Sequence, residues 1–253
     1  MSSVLKQRAV TEGRVTLEYL VMDGGSTDGS LEALRATADP RVRIWSERDG
    51  GMYDAVAKGL RLATGDTVAY LNAGDLYAPT AFDVVEAVMR KPEVRWMIGW
   101  GVEVTNDGVP VHVMHPYRYT CRGLERGIYG TILPFVPQES TFWRRELVAS
   151  VDLDRLARFR LAGDAFLWRC FSRESEPFVV SSYLGAFRRH PGQLSENRVG
   201  YLAEMRMATE PATLADQLGA WLERPLWHAP RRIRKACNRH HFLDYDHASG
   251  RWS

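Results

Sequence analysis

Apolar and polar positions along the first third of the chain repeat one order: a short apolar run, a turn rich in Gly and Asp, then a segment apolar at helical spacing. Leu20, Val21 and Met22 form the first run; Gly24, Gly25 and Gly29 let the backbone turn, and Ser26, Thr27 and Asp28 are suited to cap a helix. Residues 42–45 form the second run, followed by Asp49-Gly50-Gly51 and a helix whose apolar positions Tyr53, Val56, Leu60 and Ala63 share one face. Residues 67–71 form the third, leading into Asn72-Ala73-Gly74-Asp75 and a helix carrying Phe82, Val85 and Val88 or Met89. Three such units predict right-handed crossovers and a parallel sheet with all three loops on one edge. Open α/β sheets bind ligands on that edge.

The pattern then changes. Residues 95–101 read as an apolar strand, and residues 102–113 alternate around Asn106-Asp107-Gly108, the turn chemistry of an antiparallel hairpin, so the sheet becomes mixed. Thr141-Phe142-Trp143 reads as a further strand, with a helix opening near Arg144. In Leu161-Ala162-Gly163-Asp164, a helix follows with Phe166, Leu167, Cys170 and Phe171 on a buried face. Residues 201–208 and 212–222 read as helices, and residues 225–241 mix Trp227, Ile233 and Ala236 with Arg231, Arg232, Arg234, Lys235 and Arg239. The expected fold is α/β: a Rossmann-like, mostly parallel sheet with helices on both faces, an antiparallel hairpin in the middle and a helical C-terminal extension. The expected division is residues 1–195 and a basic extension, 196–253.

The predicted edge gathers Asp23, Ser26, Asp28, Asp49, Asp54, Asn72 and Asp75. Neither a P-loop nor a Gly-x-Gly-x-x-Gly fingerprint is present, so a phosphate-cradling loop is not the mechanism. Carboxylates crowded around an anionic ligand repel it unless a divalent cation stands between, and hard oxygen ligands suit magnesium or manganese. Aspartates that cap helices and fill turns are the plainer account of any one position.

The successive segments DGGSTDGS, ERDGGMYDAVAKGLRLATGD and YLNAGD resemble the signatures of family 2 glycosyltransferases with the GT-A fold, in order and spacing. PQESTFWRREL and LAGDAFLW resemble that family's acceptor-side segments, and the likeness covers roughly the first two hundred residues. The resemblance implies that Asp23, Ser26, Asp28, Asp49, Tyr53, Asp54 and Lys58 face a nucleotide-sugar donor, and that Asp75 with Asn72 holds the metal. Asn72-Ala73-Gly74 stands where relatives often place Asp-x-Asp, leaving Asp75 as the only carboxylate, so weak metal binding aided by the donor's diphosphate is expected. Ala57 stands where relatives commonly carry Asn. The chain also opens one element late against that pattern. Losing a central strand would cost far more than the roughly 5–15 kcal/mol that holds a domain together, so a start set too far downstream is the favoured expectation.

The resemblance assigns Asp164 as the general base of an inverting, single-sugar transfer; a helix cap is the competing account of the same carboxylate. Gln138 and Glu139 are candidates to line the acceptor pocket, or polar residues of a connecting loop. Arg188 and His190, with Arg189, are candidates to steady the leaving diphosphate, or a solvated basic turn. The expected donor is uridine-linked and the expected acceptor a glycan or a lipid-linked sugar of polysaccharide biosynthesis. The alternative is a non-catalytic nucleotide-sugar-binding or interaction module that kept the fold.

Composition leaves this picture intact. With 253 residues, 45% of them hydrophobic, and a net charge of +2, the chain is suited to a single large core, and nucleic acid is not an expected partner. Cys121, Cys170 and Cys237 are isolated and odd in number, which indicates packing residues rather than a disulfide framework or a zinc ribbon. No apolar run reaches membrane-span length and Met1 opens no signal peptide, so a cytoplasmic protein is expected. Its basic tail is suited either to lie on anionic lipid or to be a solvated helix.

Overall fold

The computed structural model describes residues 1–253. Two short helices, α1 (Ser2–Leu5) and α2 (Arg8–Thr11), open the chain and meet at Gln7, which is fully buried. Its Nε2 donates to Ser3 O and Ala78 O, each at 2.7 Å, and its Oε1 accepts from Phe82 N at 3.0 Å. A buried amide partnered on both sides ties the N-terminus to the start of a later helix.

β1 (Tyr19–Asp23) and β2 (Val42–Ser46) are joined through α3 (Ser30–Arg35) and pair in parallel, with Tyr19 opposite Val42 and Asp23 opposite Ser46. α4 (Met52–Leu62) then buries Tyr53, Ala57 and Leu60, while Val56 and Ala63 pack at the rim of the same face. The third unit departs from the expected plan. Its strand, β3, is only Thr67–Val68, and it pairs antiparallel with a later strand rather than beside β1.

β4 (Leu76–Tyr77), α5 (Ala81–Met89) and β5 (Trp96–Ile98) follow. The hairpin of β6 (Gly101–Val104) and β7 (Pro110–Met114) turns where the sequence placed it, with Gly108 at φ +82°. α6 (Cys121–Glu125) precedes β8 (Thr141–Arg144), and the helix expected near Arg144 is a 3-10 helix, Arg145–Ser150. α7 (Leu153–Leu156), α8 (Gly163–Ser172), β9 (Phe178–Val180) and β10 (Gly185–Arg188) complete the mixed sheets. α9 (Arg198–Ala208), α10 (Leu214–Glu223), α11 (Arg231–Cys237) and β11 (Phe242–Leu243) follow.

One mixed sheet has the order β11-β9-β5-β8-β3 and another β4-β10-β6-β7, whereas β1 and β2 form a sheet of their own. Every residue of β5 and β9 is buried, as strands covered on both faces require. Around them Trp96 stacks on Trp168 at 5.9 Å and Trp143 meets Trp168 edge-on at 5.7 Å, with Phe171 closing the cluster. Met205, Ala208, Ala220, Trp227 and Phe242 from the last quarter of the chain enter the same core.

β1 has β2 on one side and no strand on the other, and β3 likewise has only β8. The gap belongs to one large cleft of about 2240 Å³, lined there by Leu17, Tyr19, Val21, Val68, Leu71 and Phe142. All five residues of β1 are only half-buried. Two strand edges and an apolar lining are thus left facing one another across the cleft.

Candidate active site

The cleft runs over the C-terminal end of β1 and reaches Asp49 in the loop after β2. Asp23 closes β1, and its carboxylate accepts from Gly25 N at 3.2 Å, Ser26 N at 3.1 Å and Ser46 Oγ at 2.6 Å, tying the first loop to the end of β2. Hydrogen bonds from Ser26 and Ser46 hold its pKa down to about 2, so it is ionised at any physiological pH. Asp49 Oδ1 accepts from Gly51 N at 2.9 Å. A Cβ on Gly24 would stand 2.9 Å from Asp49 Oδ2, so glycine there lets the two acidic loops close on each other.

Asp23, Ser26, Asp49 and Tyr53 line the cleft, whereas Asp28, Asp54 and Lys58 do not. Asp28 accepts from Ser30 N at 3.1 Å, the plain turn-capping role. Asp54 accepts from Gly50 N at 2.9 Å and pairs with Lys58 at 3.3 Å, and Lys58 also reaches Glu47 at 2.8 Å. These three shape the loops from outside the cleft. Ala57 is fully buried in apolar core.

On the third loop, Asp75 is buried. Its Oδ1 accepts from Arg188 N at 2.9 Å, while Oδ2 is buried without any partner. Burial raises its pKa to about 6, against the pull of the Arg188 amide. Asn72 Nδ2 donates to Gln138 Oε1 at 3.1 Å, and Gln138 Nε2 donates to Tyr70 O, so both amides are set against the loop that follows β3. Glu139 beside them is pushed up to about 8, chiefly by burial. An orphaned carboxylate oxygen and a neighbouring amide fit a hard cation that takes its remaining ligands from elsewhere, for no group of three or more His, Cys, Asp and Glu side chains is placed to hold one.

Arg188 Nη1 donates to Asn106 O at 3.0 Å, Arg189 pairs with Glu103 at 3.2 Å, and His190 is exposed; all three line the cleft.

Asp164 is the second residue of α8, not its cap; the cap position is Ala162, whose side chain offers no acceptor. Its Oδ1 accepts from Ala165 N at 2.8 Å and stands 3.5 Å from the Tyr201 hydroxyl. Burial raises its pKa to about 6, with these hydrogen bonds opposing. A Cβ on Gly163 would lie 2.4 Å from the Tyr53 ring, so the glycine brings α4 and α8 together beneath the carboxylate. Tyr53 itself is buried there, its hydroxyl donating to Leu161 O at 3.3 Å; it lies at the base of the Asp164 loop.

Two residues that the sequence reading passed over hold this loop. Glu204 on α9 accepts from Arg160 N at 3.1 Å, Leu161 N at 2.8 Å and Ala162 N at 3.0 Å, fixing the loop that leads into α8 and placing negative charge near that helix's N-terminus. Tyr201, three residues earlier on the same face of α9, reaches Asp164 itself. Tyr-x-x-Glu on a helix is visible in the sequence, but nothing there names the loop it meets.

Mixed α/β sheets with acidic loops at the strand ends and a half-buried carboxylate across the cleft define a GT-A fold. The chain belongs to glycosyl transferase family 2, whose model matches residues 1–150. It is 31% identical over 183 residues to an uncharacterized glycosyltransferase of Mycobacterium tuberculosis, covering 69% of this chain and 64% of the relative. A PGL/p-HBAD biosynthesis glycosyltransferase of Mycobacterium bovis is 30% identical over 187 residues, covering 66% of this chain and 62% of its own. The chain thus spans somewhat under two thirds of these relatives. Among solved structures, S. aureus TarS 1-349 in complex with UDP-GlcNAc superposes with a TM-score of 0.62 at 14% identity, covering 92% of this chain and 77% of that one. GalNAc-T7 with UDP, GalNAc and Mn2+ gives 0.58 at 14%, covering 94% and 51%. Both likenesses speak for the fold.

Proposed function

We propose that the protein transfers one sugar, with inversion, from a uridine-diphosphate sugar to a hydroxyl of a glycan or lipid-linked acceptor in polysaccharide biosynthesis. The observation that carries this reading is Asp164: a carboxylate at the cleft, ionised above about pH 6, held from behind by Tyr201 and the Glu204 clamp. As base it takes the acceptor's hydroxyl proton while that oxygen bonds to the anomeric carbon and the bond to the diphosphate breaks. Asp23, Ser26 and Asp49 meet the nucleoside, and Gln138 and Glu139 flank the acceptor side. Arg188 and Arg189 place positive charge near the departing diphosphate, with His190 beside them.

Asp75, with Asn72, would hold magnesium or manganese, which when bound screens the diphosphate charge. GalNAc-T7, crystallised with Mn2+, supports a cation in this fold. The gap beside β1 belongs to the same reading: its apolar lining and the two unpaired edges of β1 and β3 have the character of a place for one further strand. The second reading, a nucleotide-sugar-binding module without turnover, is favoured by the thin metal set and that open gap. Calorimetric titration of UDP-sugars with and without manganese, followed by assay of Asp164→Asn, separates the two: transfer that depends on Asp164 supports the enzyme, and binding without transfer supports the module.

A further inference from the structure

α10 is built inside out. Leu214, Leu218, Trp221 and Leu222 form one stripe at helical spacing, and they are 84%, 62%, 56% and 73% exposed. The opposite face turns Asp216, Ala220 and Glu223 inward: Asp216 closes the capping box with Thr213 and pairs with Arg122, and Glu223 is half-buried. A helix that spends its polar residues on the protein and shows its leucines to water has a partner for the apolar stripe.

The charges around it name the partner. From Arg198 to Arg239 each acid is engaged or turned in. Glu204 clamps the Asp164 loop, Glu210 pairs with Arg126, Arg169 and Arg173, and Asp216 and Glu223 face the fold. Arg206, Arg224, Arg232 and Arg239 are exposed and form no ion pair. They stand beside exposed apolar side chains: Arg206 next to Met207, Arg232 next to Ile233, and Arg224 stacked over Trp221 at 5.0 Å. We infer that this face docks on an anionic lipid surface, the α10 stripe entering the headgroup boundary and the arginines pairing with lipid phosphates. A second copy of the chain would bring the same uncompensated cations against themselves. The anchor is not the basic run of α11 taken whole, because Arg234 is buried, donating to His115 O at 2.6 Å, and Arg231 pairs with Asp244 at 2.7 Å.

The test is co-sedimentation of the full chain with phosphatidylcholine vesicles, alone and with about one third phosphatidylglycerol. Binding is expected only to the anionic vesicles, weakened but not abolished by salt. Leu218→Ser with Leu222→Ser is expected to bind about tenfold or more weakly, with an unchanged melting temperature because both side chains are exposed. Leu214→Gln provides an independent loss at the other end of the stripe, and Arg224→Gln with Arg232→Gln should reduce the preference for phosphatidylglycerol. Absence of binding to anionic vesicles, full binding by both stripe variants, or a dimer in light scattering that the stripe variants dissolve would each overturn the inference.

Discussion

The two sides of the cleft treat their carboxylates in opposite ways. On the β1 and β2 side one edge is unpaired, and Asp23, half-buried like the rest of β1, has its pKa held down to about 2 by serine hydroxyls and amides. On the opposite side, Asp75 and Glu139 lie against β10 and Asp164 stands in the first turn of α8, and burial raises the three to about 6, 8 and 6. The first side is a surface of fixed negative charge suited to hydroxyl and cation contacts; the second keeps groups whose protons exchange near neutrality. A ligand that supplies a cation and sugar hydroxyls completes the first side. A reaction that moves a proton needs the second.

The sharpest way to break this contrast is at Asp164. Asp164→Asn keeps shape and an acceptor for Ala165 N, so turnover should fall by about 10²–10⁴ while donor affinity stays the same. Steady-state kinetics with calorimetry reads both, and a near-parental rate would remove the base from this side altogether. The same assay is also run with an apolar strand fused to the N-terminus and offered to the gap beside β1 as an extension.

That extension is itself the second prediction. If a strand fits between β1 and β3, each buried Val or Leu should contribute about 1.5–3 kcal/mol. Amides of β1 should then gain protection from hydrogen exchange while those of β5 and β9 stay as they were. No rise in melting temperature, or no change at β1, would mean the gap is meant to stay open.

Asp75→Ala is the third. It removes the orphaned oxygen and should abolish most of any manganese-dependent gain in UDP-sugar affinity, leaving metal-free binding nearly intact. Equal losses with and without metal would count against Asp75 as a ligand.

Tyr201→Phe tests a smaller effect on the proton-exchanging side. Losing a hydrogen bond to the charged carboxylate should raise the Asp164 pKa by less than about one unit, seen by carbon NMR of the carboxyl and as a matching shift of the acidic limb of the rate. A merely structural tyrosine would lower the melting temperature and leave that pKa in place.

The last concerns stability against pH. Asp75, Glu139 and Asp164 bind protons more tightly folded than unfolded, so their contribution is full below the ordinary values of 3.8 for the aspartates and 4.5 for Glu139. It is lost as pH rises through about 6 and about 8. The melting temperature should therefore rise as pH is lowered from about 8 to about 5. Asp23 works in the other sense, its contribution present above its ordinary value of 3.8 and lost only as pH falls toward about 2.

The sequence read these two sides unequally. The apolar run at residues 20–22, the turn glycines and the helical face of Tyr53 and Leu60 are local patterns, and β1, β2 and α4 follow them. The hairpin at Gly108 followed from turn chemistry in the same way. The reach of residues 67–71 did not, because a two-residue strand paired to Thr141–Arg144 depends on a neighbour 75 positions away. Asp54 and Lys58 share the motif of the second acidic loop yet point at each other outside the cleft, since spacing gives membership of a loop and not the direction of a side chain. Glu204 was illegible for the same reason: its partners are backbone amides, which every sequence has everywhere.

That clamp bears on how the family can be recombined. A chimera joined between β10 and α9 would pair one parent's Asp164 loop with another parent's Glu204, and the three amides would face whatever residue the donor helix carried there. The seam for exchanging acceptor-side segments among relatives therefore lies beyond Ala208, with α9 inherited together with the loop it holds.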